Sequence, residues 1–327
     1  MPKSSAVSSS RLWLALLTIY VIWGSTYLGI AIAIQSVEPF TQGAIRFTIA
    51  GLVLLAWARL RGGANVRMPT RREWRDALII GGLLFGGGNG LVGWGEQTVP
   101  SGIAALLIAL VAVWFAVFSR IFYGDRIPLI VGIGIAVGIA GVALLVWPFG
   151  STATFDGPGI LALIGSPICW ASGSIFAARR AKMPANPMVA TASQMLAGGL
   201  SLGLLGLVTG EAGRFSLEIS TASLLAIGYL LVFGSLVAFS AYSWLLRHAP
   251  LPLIGTYAFV NPIVAVALGS IFLSEPITPR MLLAAAVIVV GVALVILGRS
   301  RLRAASIAAT AAPVGPTKLS AAISDPG

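Results

Sequence analysis

Stretches of about 20 predominantly apolar residues, the length that crosses a bilayer as an α-helix, recur from one end of this chain of 327 residues to the other. Read with a window of that size, they fall at about 12–34, 41–60, 77–98, 101–122, 128–147, 158–178, 187–208, 222–245, 252–272 and 280–298. The fold class that follows is an all-α polytopic membrane protein with ten transmembrane helices. Charge density points the same way. Only 9% of the residues are charged, whereas soluble domains carry about a quarter, and the mean hydropathy is +0.96. The first apolar run is longer than a signal-peptide core, so it reads as a retained helix although "AIA" at 31–33 resembles a cleavage site. Residues 1–11 read as an N-terminal tail, and 299–327, rich in Ala, Ser and Pro, as a disordered C-terminal tail.

The net charge of +11 would suit a nucleic acid, but its distribution fits a membrane instead. With the N-terminus inside, the segments on that side hold eighteen Lys and Arg, six of them in the loop 59–76. The opposite side holds two, Arg214 and Arg280. By the positive-inside rule both termini are cytoplasmic, and no nucleic-acid partner is expected. Lipid surrounds such a chain, as a monomer or a homodimer.

"GGGNGLVGWGE" at 86–96 contains Gly88, Gly90 and Gly93 in the G-x-G-x-x-G spacing of dinucleotide-binding loops. That motif has meaning only between a strand and a helix. Here it lies inside an apolar helical run, and after Glu96 the next acidic residue is Asp125. The glycines therefore serve close helix approach, as in Gly82-x-x-x-Gly86. One cysteine, Cys169, and one histidine, His248, leave no material for a disulfide framework or a multi-cysteine metal site. No Ser/His/Asp set or carboxylate pair is readable within the spans, so neither an enzyme nor a cofactor is expected.

The chain also repeats itself. "IFYGDRI" (121–127) returns as "IFLSEPI" (271–277), and Trp94 and Trp244 share that offset of 150. "WGST" at 23–26 aligns with "WASG" at 170–173, and "RFTIAGL" at 46–52 with "QMLAGGL" at 194–200. Matches in this order describe two five-helix halves, 12–147 and 158–298. An odd number of helices per half makes the second half enter the membrane in the opposite sense, giving an inverted repeat with a substrate site near the midplane.

The two halves, with "IYVIWGSTYLGI", "AIRFTIAGLVLLAW", "EQTVPSGIAALLIALVAVWFAVFSRIFYGDRI" and "TYAFVNPIVAVALGSIFLSEPIT", resemble the EamA family of the drug/metabolite transporter superfamily, and within it the bacterial inner-membrane permeases. The resemblance implies a secondary transporter that exports amino acids, toxic analogues or other small metabolites by alternating access. Export of lipophilic drugs is the alternative within transport, and a non-transporting membrane scaffold the alternative outside it.

Arg46 is the most expensive residue to bury, about five residues into the second helix and roughly 8 Å from its outer end at 1.5 Å per residue. It has two readings, a structural pairing with Glu96 or a contact with substrate or gate. Its repeat mate is Gln194. Trp23, Ser25, Thr26 and Tyr27 lie at the centre of the first helix, Trp170 and Ser172 in the sixth, Tyr257 and Asn261 in the ninth, and Asn89 in the glycine-lined third. Polar and aromatic groups at corresponding repeat positions make these the cavity candidates, against simple packing. Trp94 and Trp244 lie near interfaces, where aromatic belts form. Glu96 is the proton-coupling candidate. An aromatic, amide-rich cavity with one arginine and one carboxylate suits a small amphipathic zwitterion.

Overall fold

A computed structural model describes residues 9–63, 66–125, 127–146, 156–216, 218–249 and 251–311. The main helices are α1 (Ser9–Ala33), α2 (Pro39–Gly62), α3 (Arg71–Gly95), α4 (Ser101–Tyr123), α5 (Leu129–Val146), α6 (Gly157–Arg179), α7 (Pro187–Val208), α8 (Thr221–His248), α9 (Tyr257–Leu273) and α10 (Pro279–Ala311). Eight of them are long and apolar enough to cross a membrane, and α5 and α9 are shorter apolar helices. No strand occurs among the described residues. Large apolar side chains such as Leu60, Leu129 and Val208 are more than four-fifths exposed, as expected of a surface that faces lipid. The chain is a multi-pass membrane protein.

The helices start where the sequence supplies caps. Thr70 and Glu73 form a reciprocal capping box on α3, Asp156 accepts from the Gly159 N–H on α6 at 2.9 Å, and Ser220 accepts from the Ser223 N–H on α8 at 3.1 Å. Such groups satisfy the orphan donors of a first turn. The capping box starts α3 at Arg71, six residues earlier than the expected 77. It brings Glu73 and Asp76, both buried, into the helix that ends at Gly95, just before Glu96. At the other end, α10 continues past 298 to Ala311, so residues 299–311 are helical instead of disordered. "SRLRAASIAATA" is rich in good helix formers and meets no proline until Pro313. The remainder of the expected tail, 312–327, and residues 1–8 lie outside the described residues.

Two helices, α2 and α4, are capped from a distance. The first turns of α2 and α4 follow Glu38 and Pro100, neither of which caps with its side chain. Their donors go to carboxylates far along the chain. Glu211 accepts from the N–H groups of Phe40 and Thr41 at 3.1 and 2.8 Å, and Glu275 from those of Ser101 and Gly102 at 2.7 and 3.1 Å.

The packing is regular. α2 lies on α7, α4 on α9 and α5 on α10, while α1 packs against α8 and α9 as α6 packs against α3 and α4. Adding five to a helix number, or subtracting it, returns the first three contacts to themselves and exchanges those of α1 with those of α6. Both α3 and α8 carry a π-helical segment, Gly82–Asn89 and Leu230–Ala238, starting 148 positions apart. Glycines set α3 against its neighbours: a Cβ on Gly81 would lie 2.6 Å from the Gln194 carbonyl oxygen of α7, and one on Gly88 would lie 2.9 Å from the Trp170 ring of α6. The G-x-G-x-x-G stretch is thus a helix–helix contact with helix on both sides.

Candidate functional site

The π segment of α3 opens one wall of a central cavity. A π turn shifts the backbone bonding register and leaves carbonyls short of their usual donors. Two of those carbonyls are met by side chains: Asn89 donates to Leu84 O at 3.4 Å, and Ser166 of α6 donates to Gly88 O at 2.9 Å. The cavity beside them has a volume of about 70 Å³, below the range of about 300–1,000 Å³ typical of small-molecule sites.

Of the candidates named from the sequence, Trp23, Thr26, Tyr27, Arg46, Asn89, Trp170, Tyr257 and Asn261 all line this cavity. Trp23 is the hub of the aromatic wall. Its ring is 5.6 Å from Trp170 and 5.3 Å from Tyr257, both edge-on, and 4.9 Å from Tyr242. Aromatic pairs favour such tilted geometries, with positive ring edge toward negative face. Asn261, one turn along α9 from Tyr257, donates from its amide nitrogen to the carbonyls of Tyr257 and Tyr20. Tyr20 in turn hydrogen-bonds Thr256, so α1 and α9 are tied along one edge of the cavity.

Three candidates are not in the lining. Ser25 turns toward α8, where its hydroxyl meets the Tyr229 hydroxyl at 2.5 Å. Ser172 bonds back to Ile168 O at 2.8 Å within α6. Gln194 sits at the α3–α7 contact, its carbonyl against Gly81. Ser25 and Ser172 each follow a lining tryptophan by two positions, about 200° round the helix and so on the opposite face, and α7, which carries Gln194, contributes no residue to the lining.

Arg46 reaches the cavity but not Glu96. It is 4% exposed, donates from Nε to the Ser235 hydroxyl of α8 at 2.8 Å, and lies over the Phe47 ring at 4.2 Å. The salt bridges among the described residues are Arg67–Glu73, Arg75–Asp76, Arg179–Asp125 and Arg214–Glu38, and neither Arg46 nor Glu96 takes part in one. Of the two readings of Arg46, the pairing with Glu96 is therefore not found, and its place in the cavity lining is. Glu96 lies one turn beyond Val92, which lines the cavity, whereas Arg46 points across to the π segment of α8. Both Glu96 carboxylate oxygens are buried without a hydrogen-bond partner. Trp244 stacks on His248, with ring centroids 4.4 Å apart.

Sequence reasoning missed Ser235, Phe85, Phe239 and Tyr242. The rings Phe47–Phe85–Phe239–Tyr242 run continuously from Arg46 to the Trp23 cluster, at centroid separations of 4.3, 5.0 and 6.0 Å. The residue at position 235 does correspond to the glycine-rich stretch of α3, but no local pattern announces its partner on α2.

The EamA-like transporter family matches this chain twice, over residues 11–147 and 157–297. The "Uncharacterized inner membrane transporter YedA" of Escherichia coli K12 is 41% identical over 289 residues, 87% of this chain and 90% of that protein. The "Uncharacterized transporter YvbV" of Bacillus subtilis is 26% identical over 292 residues, 88% of this chain and 92% of that protein. A solved structure titled "Crystal structure of protein" shares the fold, with a TM-score of 0.64 at 24% identity over 90% of this chain and 99% of that one.

Proposed function

This chain belongs to the EamA-like transporter family, a membrane transporter family, and we propose that it exports a small zwitterionic metabolite, an amino acid or a close relative, across the bacterial inner membrane by alternating access. In this reading all ten helices α1–α10 span the membrane, as two five-helix repeats of opposite orientation with both termini cytoplasmic. The two family matches, the interchange of helix contacts on shifting by five, and the paired π segments of α3 and α8 all support the repeat. The distribution of Lys and Arg supports the orientation. Two related halves give two ways to close one cavity, related by a pseudo-two-fold axis in the membrane plane, which is what alternating access requires.

The observation that carries the substrate class is Arg46. A buried cation with no carboxylate beside it is costly, and this one presents a fixed positive charge to a cavity with aromatic walls. A substrate carboxylate would complete it with charge-assisted hydrogen bonds. The faces of Trp23, Trp170 and Tyr257 offer cation–π contact to an ammonium group, and Asn89 and Asn261 offer amides. A lipophilic cation would meet Arg46 as a like charge, which disfavours the drug-efflux alternative. Glu96 is the coupling carboxylate of this reading.

The test is counterflow in proteoliposomes with a panel of zwitterionic, anionic and lipophilic cationic solutes. Arg46→Ala should lower the flux of the transported zwitterion at least tenfold while the protein remains folded and inserted. Efficient flux of lipophilic cations, with amino-acid movement absent or indifferent to Arg46, would reject the assignment.

A further inference from the structure

Arg61 in the last turn of α2 and Arg247 in the last turn of α8 line one open groove of about 440 Å³. Two like charges carried by different helices thus converge on one place, which is unfavourable unless an anion joins them. Neither takes part in a salt bridge among the described residues, whereas Arg67, Arg75 and Arg179 each have a carboxylate of their own. Asn186, the N-cap of α7, brings a third donor to the groove. Its Oδ1 is spent on the N–H groups of Met188 and Val189 at 2.9 and 3.4 Å, which leaves its amide nitrogen. No acidic residue lines the groove among the described residues.

The remainder of the lining is apolar and includes Pro187, Met188 and Trp244. Met188 is exposed, as are Trp57 and Leu60 of α2. The Arg61 guanidinium lies over the Trp57 ring at 4.8 Å. Tryptophans at the ends of spans mark the level of the lipid headgroups, so Trp57 and Trp244 place the two arginines at phosphate depth. Cations and exposed apolar side chains therefore stand side by side. A soluble anion would use only the charged part of this arrangement, whereas a phospholipid uses both parts.

We propose that Arg61, Arg247 and Asn186 hold the phosphate of an anionic phospholipid between the ends of α2 and α8. Guanidinium groups pair with phosphate oxygens through two parallel hydrogen bonds, and basic pockets between helices at a membrane surface hold such headgroups. A headgroup with net negative charge fits, because the ammonium of a zwitterionic lipid would meet two arginines as a like charge. The bound lipid joins α2 of the first family-matched segment to α8 of the second. That the leaflet is the cytoplasmic one rests on the orientation proposed above, but the site does not.

Binding is measured on delipidated protein in a neutral detergent, as the shift of the thermal unfolding midpoint on adding dioleoylphosphatidylglycerol at constant pH and ionic strength. A saturable rise is expected, with no comparable rise from dioleoylphosphatidylcholine or from glycerol 3-phosphate. Arg61→Gln and Arg247→Gln should each weaken apparent affinity about fivefold, and the pair together at least tenfold. Arg71→Gln with Arg72→Gln removes the same charge at two exposed positions outside the groove and should leave affinity unchanged. Native mass spectrometry, counting retained phosphatidylglycerol, gives the same comparison if a variant unfolds too early for the midpoint to be read. Equal response to phosphatidylcholine, or equal loss in both double variants, overturns the site as a mere effect of surface or charge. An equal shift with glycerol 3-phosphate overturns the lipid assignment in favour of a soluble phosphate.

Discussion

The guanidinium of Arg46 is held through its Nε by the hydroxyl of Ser235, 2.8 Å away and 189 positions later in the chain. This bond leaves the terminal nitrogens for the cavity and fixes the plane in which they lie. Ser235→Ala should preserve the charge but free the fork. The apparent KM for the transported zwitterion should rise several-fold, about 1 kcal/mol for one hydrogen bond to a charged group partly replaced by water, with little change in folding. Arg46→Lys should lose more, because an ammonium cannot both bond Ser235 and present a planar fork. Concentration-dependent flux in proteoliposomes distinguishes these outcomes.

Glu211 and Glu275 should contribute strongly to stability, each as the cap of a helix remote in sequence. Glu211 is 1% exposed and also accepts from the Thr41 hydroxyl at 2.8 Å. Glu211→Ala would leave three donors unmet and should destabilise by about 2–3 kcal/mol, at the upper end for a lost buried partner. Glu211→Gln should cost less, since its carbonyl oxygen can still accept. Apparent unfolding midpoints in detergent, measured for both variants, should fall in that order.

Bulk introduced at Gly88 should act on packing and not on any nucleotide. Gly88→Leu would drive a side chain into the Trp170 ring and separate α3 from α6. Reduced insertion yield or a lowered unfolding midpoint is expected, and wild type should show no saturable binding of NAD or ATP by calorimetry. Saturable nucleotide binding would contradict the helical role of this stretch.

The orientation can be read with introduced cysteines in a Cys169→Ser background. Glu218 and Ala185 are both exposed, on turns at opposite ends of α7. Glu218→Cys should react with a membrane-impermeant maleimide in intact cells, and Ala185→Cys only after permeabilisation. The reverse pattern would invert the assigned topology.

Helices were legible in the sequence because the bilayer demands long apolar runs, and a hydropathy window detects that demand directly. Helix ends were less legible. The start of α3 depends on a reciprocal bond between Thr70 and Glu73 inside what looks like a charged loop. Eight of the eleven cavity candidates line the cavity because polar and aromatic groups in mid-span have few other uses. Ser25 and Ser172 failed on helical phase, which apolar surroundings on every side obscure, and Gln194 because its helix contributes no residue to the cavity wall. Ser235 and the caps Glu211 and Glu275 were invisible for another reason. Each acts on a helix more than 150 positions away, and no local spacing encodes such a partner. The π segments were also missed, because an extra residue in a helical turn leaves no compositional mark.

The seam between α5 and α10 sets a mechanical boundary. A Cβ on Gly134 would lie 2.7 Å from the Gly291 carbonyl oxygen, and one on Gly141 would lie 2.9 Å from the Ile288 nitrogen. Backbones this close leave no clearance for one helix to roll on the other, since any rotation brings a side chain into the opposing main chain. The pair is the last helix of each family-matched segment, and α2 meets α7 as closely, a Cβ on Gly199 falling 2.9 Å from the Thr48 nitrogen. The two segments are thus locked main chain to main chain at two seams, each of which resists sliding. Substitutions that widen either seam should loosen the hold of one segment on the other.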